Sequence, residues 1–579
     1  MREKIYAWGL LVMGFLLWGG CDRPPGGETS GEIFTYDPVR DPLVNPAPLF
    51  LPPGDISHID TEGTLQLQLE GNPNTLHPFY VSSVNEFMIV NALYAGLFIY
   101  DKDIRRQVND DIVESYRESE DHTEYIIKLK KGLTWQDGVA FTAADVVYSW
   151  EQILDEQVPC YTQKPSTEPI TQCRALDEYT VKLMQPQPRA TAGHNLLFPV
   201  IPKHIFEKGK TNHPDLRSGA YFKQQGRAPV GNGPYRLVEW KDHERIVLER
   251  WEDYAGEKPY FKRIVFRIAA DKNMALLLFE KGQLDVVERL SPLQFARATE
   301  RDSFRKIGNK GWRVGRSYVY IGWNMDGPNP FFIDRQVRRA MTQAMNVPLI
   351  LDKVYYNLAG PCAGIYHPEM ETFNSQVKRL EYDLEQAGTL LEEAGWRVDD
   401  KDGRRYKESD HKAPFRFTLL IPNNLSGGAQ IGAILQEDLR KIGVEMDIRV
   451  MEWLTYVEKL RGHEFEAALG SWDPGVDPDW EYMVWHSSGY EGGRNYGGYN
   501  NGRVDKLFEQ GREEFDQTKR REIYQEIHQL TYEDQPYTWI CHLPILVAFN
   551  NRIQGVQFSG RGIYGFYPSF YRWWSVKED

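Results

Sequence analysis

The sequence predicts an α/β protein made of several large folding units behind an N-terminal address. Strand-type alternation and helix-type spacing both occur along the body of the chain. The 579 residues far exceed one average domain of roughly 150. They are 41% hydrophobic and 26% charged, which supplies large cores. Acidic residues outnumber basic ones 82 to 68, giving a formal charge of −14, so no general affinity for nucleic acid is expected. Only the N-terminus carries a stretch apolar enough to concern a membrane, which excludes a polytopic protein.

Arg2 and Lys4 precede an uncharged apolar run over residues 5–18, and Gly19-Gly20-Cys21 follows. A basic start, a short apolar run and small residues before a cut describe a secretory signal. The run is too short for the roughly 20 residues that span a bilayer. Cys21 after two glycines resembles a bacterial lipoprotein signal, so residues 1–20 are read as signal peptide and Cys21 as the acylated first mature residue. Asp22 resembles the signal that retains lipoproteins at the inner membrane. Residues 21–61 carry Arg23-Pro24-Pro25-Gly26-Gly27, Pro42, Pro46, Pro48 and Pro52-Pro53-Gly54. That composition stays extended and reads as a tether. The expected place is the periplasmic side of the cell envelope, lipid-anchored to a membrane. Four cysteines remain. Cys160 and Cys173 flank a loop with Pro165 and Pro169 and are the candidate disulfide; two buried free thiols are the other reading. No Cys-x-x-Cys occurs, so thiolate zinc and dithiol redox sites find no support.

The body opens on a strand, Thr64–Leu69, with Leu65, Leu67 and Leu69 on one face, and turns at Gly71-Asn72-Pro73-Asn74. Residues 85–97 have helical spacing and residues 125–129 read as a strand. Thr142 is placed to cap a helix, with Asp145 three residues on reaching back to its amide. Val146, Val147, Trp150, Ile153 and Leu154 fall on its apolar stripe.

The run Trp135-x-Asp137-Gly138-x-x-Phe141-Thr142-Ala143-x-Asp145-Val146-Val147-x-Ser149 resembles the signature of the family 5 solute-binding proteins, the extracellular receptors of peptide and nickel ABC transporters. Further blocks agree in order. They include Leu76-x-Pro78, Tyr94-x-Gly96-Leu97, Val200 to His204, Gly231-x-Gly233-Pro234-Tyr235, Gly282 to Asp285, Asn324 to Ala340, Leu391 to Trp396 and Tyr499-x-Asn501-x-x-Val504-Asp505. The likeness runs from about residue 62 to the end. It implies a two-lobed α/β periplasmic-binding-protein fold, hinged, with type II-like lobes and an additional inserted domain. Lobe one would combine 62–92, 198–318 and 545–579; the inserted domain would be 93–197 and lobe two 319–544.

The resemblance implies an interlobe cleft that captures short peptides and a monomeric receptor delivering them to an ABC permease with its ATPases. A receptor indifferent to side chains must read the peptide backbone through strand edges. Ala467 to Trp480 is the candidate segment, with Gly470, Ser471 and Trp472 exposing backbone. In the family an Asp just after this strand receives the ligand amine. Anchoring on Asp477-Pro478 puts Pro474 at that place and Asp473 one residue early. Asp473 therefore either contacts ligand or stabilises its own turn before Pro-Gly. Arg494, Asn495, Tyr496 and Tyr499 lie in a loop dense in glycine and aromatics, suited to recognition or to covering the core. Tyr80, Ser82 and Glu86 near the opening strand, and Trp323 and Asn324 at the lobe boundary, are further candidates for the cleft.

Neither a cofactor nor a metal site is expected: the 13 His are scattered and no His-Glu-x-x-His occurs. No phosphate-binding loop and no Gly-x-Ser-x-Gly elbow occurs either. A non-peptide solute (saccharide, opine-like compound or metal chelate) on the same fold is the competing ligand. A secreted hydrolase is the competing class, because closure on a ligand would also suit an enzyme; acid pairs give it no support, since 82 carboxylates guarantee them by chance.

Overall fold

Alternation of leucines along Thr64–Leu69 buries one face completely, and the strand becomes the centre of a sheet. The computed structural model describes residues 57–577, apart from 82, 157, 159, 161–162, 192–194, 213–224 and 328. The expected signal peptide, the acylated Cys21, most of the tether and Ser82 lie outside the described residues. Every element named below belongs to one compact unit.

The main sheet has eleven strands: β1 (Thr64–Leu69), β2 (Tyr235–Lys241), β3 (Arg245–Arg250), β4 (Arg263–Ile268), β5 (Val286–Glu288), β6 (Gly308–Trp323), β7 (Gly360–Pro361), β8 (Arg416–Pro422), β9 (Glu445–Met451), β10 (Ala467–Trp472) and β11 (Tyr537–Asn550). Its order is β9-β8-β10-β6-β11-β5-β1-β4-β3-β2, with β7 paired to β11. Strands β5, β1, β4, β3 and β2 form a first lobe; β10, β8 and β9 form a second. In the first, β1 runs parallel to β4 and β5. In the second, β8 runs parallel to β9 and β10.

Two long antiparallel strands join the lobes. β6 spans 16 residues and β11 spans 14. Their pairing runs from Gly308 opposite Asn550 to Gly322 opposite Tyr537, with irregularities between Val314 and Tyr318 and between Val319 and Tyr320. The far end of β6 pairs with β10, and the far end of β11 pairs with β5. The sheet therefore passes through both lobes, and its ladder is broken around residues 315–317.

Residues 98–197 add a four-stranded antiparallel sheet, Val113–Glu118, Glu124–Leu129, Thr180–Met184 and Gln172–Asp177 in that order. The helix Ala143–Leu154 packs on it, and Asp145 Oδ2 accepts from the Thr142 amide at 2.9 Å, as the cap pattern predicts. Ile127, Trp135, Val146 and Ile153 join Leu65, Leu67 and Phe266 in one continuous core, so among the described residues this segment shares its apolar core with the first lobe. The turn Gly231-Asn232-Gly233 seals the junction. A Cβ at Gly231 would stand 1.8 Å from the carbonyl oxygen of Leu93, so only glycine fits this approach. The second lobe has a separate core around Phe332, Met341, Phe417 and Leu435.

The expected Cys160–Cys173 disulfide is corrected: both thiols are free and buried. Cys160 lies against the Phe79 carbonyl and Gln163, while Cys173 faces the core from its strand. Burial pushes the Cys160 thiol up to about 11 and the Cys173 thiol up to about 12, so both are neutral. Among the described residues no helix is long and apolar enough to cross a membrane.

One buried charge ties the ends of the first lobe together. Asp285 accepts from the Gln66 amide at 2.7 Å and from Arg552 at 2.8 and 2.6 Å, and Arg552 also reaches the Thr64 carbonyl at 2.7 Å. Replacing Arg552 by Met leaves a buried carboxylate without its cation. Urea unfolding should show a loss of about 3 kcal/mol for Arg552→Met, partly recovered in the double variant with Asp285→Asn. A loss below about 1 kcal/mol would show that the pair does not hold β1 to the C-terminal segment.

Candidate functional site

In open sheets with parallel strands, ligands bind beyond the carboxyl ends of the strands. Here the ends of β5 and β10 are brought together through one turn. The turn at residues 559–562, closed by the bridge of Ser559 with Gly562, stands at the end of β5, where Glu288 accepts from the Ile563 amide at 3.1 Å. From this turn Arg561 reaches Asp473, the residue after β10, at 3.2 Å. Asp473 also accepts from the Ser317 hydroxyl on β6 at 3.0 Å. Both lobes and the crossing strand converge on one carboxylate. On another border, the ring of His122 stacks on Phe515 at 3.9 Å and the Ala190 amide donates to the Arg512 carbonyl at 2.8 Å. These contacts join the four-stranded segment to the second lobe.

The strand β10 offers backbone at this meeting point. Its pairing with β8 ends at Ala468, whereas its pairing with β6 continues to Trp472. Residues 469–472 thus have no strand partner on one edge among the described residues. The Tyr456 hydroxyl donates to the Leu469 carbonyl at 2.9 Å, leaving Gly470, Ser471 and Trp472 beyond it. Gly470 is required by packing: a Cβ there would lie 2.9 Å from the Tyr320 hydroxyl and 3.2 Å from that of Tyr456.

Aromatic rings line the same place. Tyr320 stacks on Tyr537 at 4.0 Å and on Trp472 at 6.0 Å, and Trp472 Nε1 donates to the Tyr537 hydroxyl at 3.3 Å. Tyr496 also stacks on Trp472, at 6.2 Å. The Arg494 guanidinium lies 5.6 Å from Trp472 and 5.3 Å from Trp480, cation–π geometry that fixes both rings.

The loop after β10 is anchored by charge. Arg520 holds both oxygens of Asp477 at 2.7 and 3.0 Å, and Arg512 holds Asp479 at 2.7 Å. Behind them Glu481 is fully buried and accepts from Trp485 Nε1 at 2.6 Å. Burial pushes its carboxyl up to about 8, against the Trp485 bond and Arg494, which lower it.

The residues singled out in the sequence separate into two groups. Gly470, Ser471, Trp472, Asp473, Arg494 and Tyr496 come together at the junction of the lobes. The structure places six others apart from that junction, five of them buried in the fold and Tyr80 partly so. Glu86 caps its own helix, with bonds from the Ser83 and Asn74 amides. Trp323 lies in the second-lobe core and donates to Thr538 at 3.1 Å. Asn324 donates to the carbonyls of His463 and Phe465. Asn495 closes the loop of Tyr499, and the Tyr499 hydroxyl donates to Asp534 at 2.8 Å. Tyr80 is partly buried against the first-lobe core, its ring 4.5 Å from that of His77. Sequence reading missed Arg561, Ser317, Tyr320 and Tyr537. Gly560-Arg561-Gly562 carried a signal, a lone cation between two glycines; Tyr320 and Tyr537 carried none, because strand tyrosines usually serve the core.

A family model described as bacterial extracellular solute-binding proteins, family 5 middle, matches residues 107–494. The oligopeptide-binding protein AppA of Bacillus subtilis is 28% identical over 528 residues, 89% of this chain and 92% of its own. The dipeptide-binding protein of Escherichia coli is 24% identical over 517 residues, 85% of this chain and 91% of its own. The solved structure of Bacillus subtilis AppA in complex with a nonapeptide superposes with a TM-score of 0.74 at 27% identity, covering 90% of this chain and 100% of that one.

Glu481 gives the site a measurable pH signature. A carboxyl whose folded pKa is raised binds its proton more tightly in the fold, so its contribution is present at low pH and is lost as pH rises toward about 8. Glu481→Gln keeps the acceptor for Trp485 and removes the titration. The variant should match the parent near pH 4.5 and gain on it as pH rises to about 8, by up to roughly 1.4 kcal/mol per pH unit. Thermal melts across that range measure it. A difference independent of pH would mean Glu481 is ionised in the fold.

Proposed function

Since the chain belongs to family 5 of the bacterial extracellular solute-binding proteins, we propose that it captures short peptides between its two lobes and delivers them to an ABC permease. The observation that carries the reading is the unpaired edge of residues 469–472, set on a floor of aromatic rings where the lobes meet. An extended peptide adds to such an edge through main-chain bonds, which give affinity without a side-chain code. The aromatic rings supply apolar area at small cost in lost rotamer freedom. The relative from Bacillus subtilis, AppA, in complex with a nonapeptide supports a peptide as the ligand class.

Capture is by rotation of the lobes about β6 and β11. The lobe assignment proposed is 62–92 with 198–318 and 545–579 for the first, 93–197 for the inserted part and 319–544 for the second. The protein binds its ligand without consuming it, acts as a monomer and is held at the outer face of the inner membrane by acylated Cys21 and its tether. Asp473 is assigned to the lobe junction rather than to the ligand amine, because Arg561 and Ser317 each bond one of its oxygens and already compensate its charge in part. The ligand is held through its backbone instead.

Native mass spectrometry of residues 22–579, purified from the natural host, stripped of ligand and rechallenged with peptide pools, tests the proposal. Co-purified peptides, and N-acetylated peptides captured within about threefold of their free-amine forms, are expected. Protein that ignores peptides and takes up a saccharide or metal chelate would overturn the peptide reading; a tenfold preference for free amines would restore Asp473 as an amine anchor.

A further inference from the structure

Three arginines crowd the break in the β6 ladder, and the charges around them do not balance. Arg313 is paired with Glu369. Arg561 is paired with Asp473 at 3.2 Å. Asp103, from the segment inserted into the first lobe, is paired with Lys102 at 2.6 Å. Arg316 lies between them and feels Glu369, Asp103, Arg313 and Arg561 electrostatically, yet no carboxylate comes within ion-pairing distance among the described residues. Its Nε is buried without a hydrogen-bond partner there. Burial and its two arginine neighbours lower the guanidinium's pKa, with Glu369 and Asp103 opposing. A guanidinium stays charged even so, and one positive charge is left uncompensated at the junction.

The position of Arg316 is built rather than incidental. Its amide donates to the Gly560 carbonyl at 2.9 Å. Its stem crosses Gly560 so closely that a Cβ there would meet Nε at 3.0 Å and Cγ at 3.1 Å. The side chain is thereby directed along the turn that carries Arg561. The next residue, Ser317, bonds Asp473, which follows the open edge of β10. Arg316 therefore stands one residue from the bond that ties β6 to the end of that edge.

Resting on the peptide reading above, we propose that Arg316 is a specificity-determining residue that receives a carboxylate of the captured peptide, either the terminal one or an acidic side chain. Arg313 and Arg561 keep their own acids, so they raise the local potential without competing for the ligand. The planar guanidinium matches a carboxylate with two parallel bonds, and it satisfies the stranded Nε only when such a group is bound.

The test is competitive capture by the full mature chain, read by native mass spectrometry. The pool holds N-acetylated peptides of two to nine residues, in equal parts free acids, amides without acidic side chains, and amides with one Glu. The parent should capture carboxylate-bearing peptides over neutral amides by about tenfold or more. Arg316→Gln should bring that ratio near one while still capturing peptides, and Arg316→Lys should keep part of the preference. Which of the two acidic classes is enriched identifies the source of the carboxylate. Equal capture of acids and neutral amides by the parent overturns the proposal and leaves the peptide reading intact. That readout needs no variant, so it stands even if Arg316→Gln fails to fold. Capture of no peptide at all overturns the peptide reading and this proposal with it.

Discussion

The structure depends on the pairing of β6 with β11. These two strands are the passage of the sheet from one lobe to the other, and their hydrogen bonds must hold each half while leaving a place to bend. Regular pairing at both ends fixes each strand in its lobe, to β5 on one side and β10 on the other. The break at residues 315–317 removes ladder bonds midway. Bending there costs less than shearing a packed core, because bulged segments already lack regular partners. The site lies on that break: Ser317 bonds Asp473, and Arg316 passes under the turn of Arg561. The hinge and the recognition surface are one piece of backbone.

The electrostatics of the junction follow from this placement. Asp473 and Arg561 come from opposite lobes, and both are partly exposed, with side-chain exposures of 55% and 33%. An exposed pair of that kind contributes roughly 0.2–1 kcal/mol. It biases the lobes toward each other without locking them. The loop behind it is held more firmly, since Asp477 and Asp479 are largely buried against Arg520 and Arg512. A rigid rim around a weakly tethered junction suits reversible capture: the rim preorganises the rings around Trp472, and the pair adds little to the cost of parting the lobes.

Much of the fold was legible in the sequence, for physical reasons. The leucines of Thr64–Leu69 alternate because one face is buried, and the Thr142–Asp145 cap closes because its spacing matches one helical turn. The candidate site was legible where backbone left without a strand partner leaves a mark, at Gly470-Ser471-Trp472. It was illegible where one residue type serves two purposes. Trp323, Asn324, Asn495 and Tyr499 have the chemistry of ligand contacts, but here that chemistry satisfies buried carbonyls, a hydroxyl and a carboxylate of the protein itself. Spacing shows that such a side chain needs a partner without showing which partner it finds. The cysteines taught the same lesson: Cys160 and Cys173 flank one loop, yet burial in the first-lobe core accounts for both.

The proposed capture makes peptide binding and lobe closure one event at the β6–β11 break. Small-angle X-ray scattering of the stripped mature protein, with and without a saturating peptide pool, tests it most directly. A smaller radius of gyration and a narrower distribution of interatomic distances are expected when peptide is bound. Identical scattering curves, with peptide verified as bound in the same sample, would contradict it.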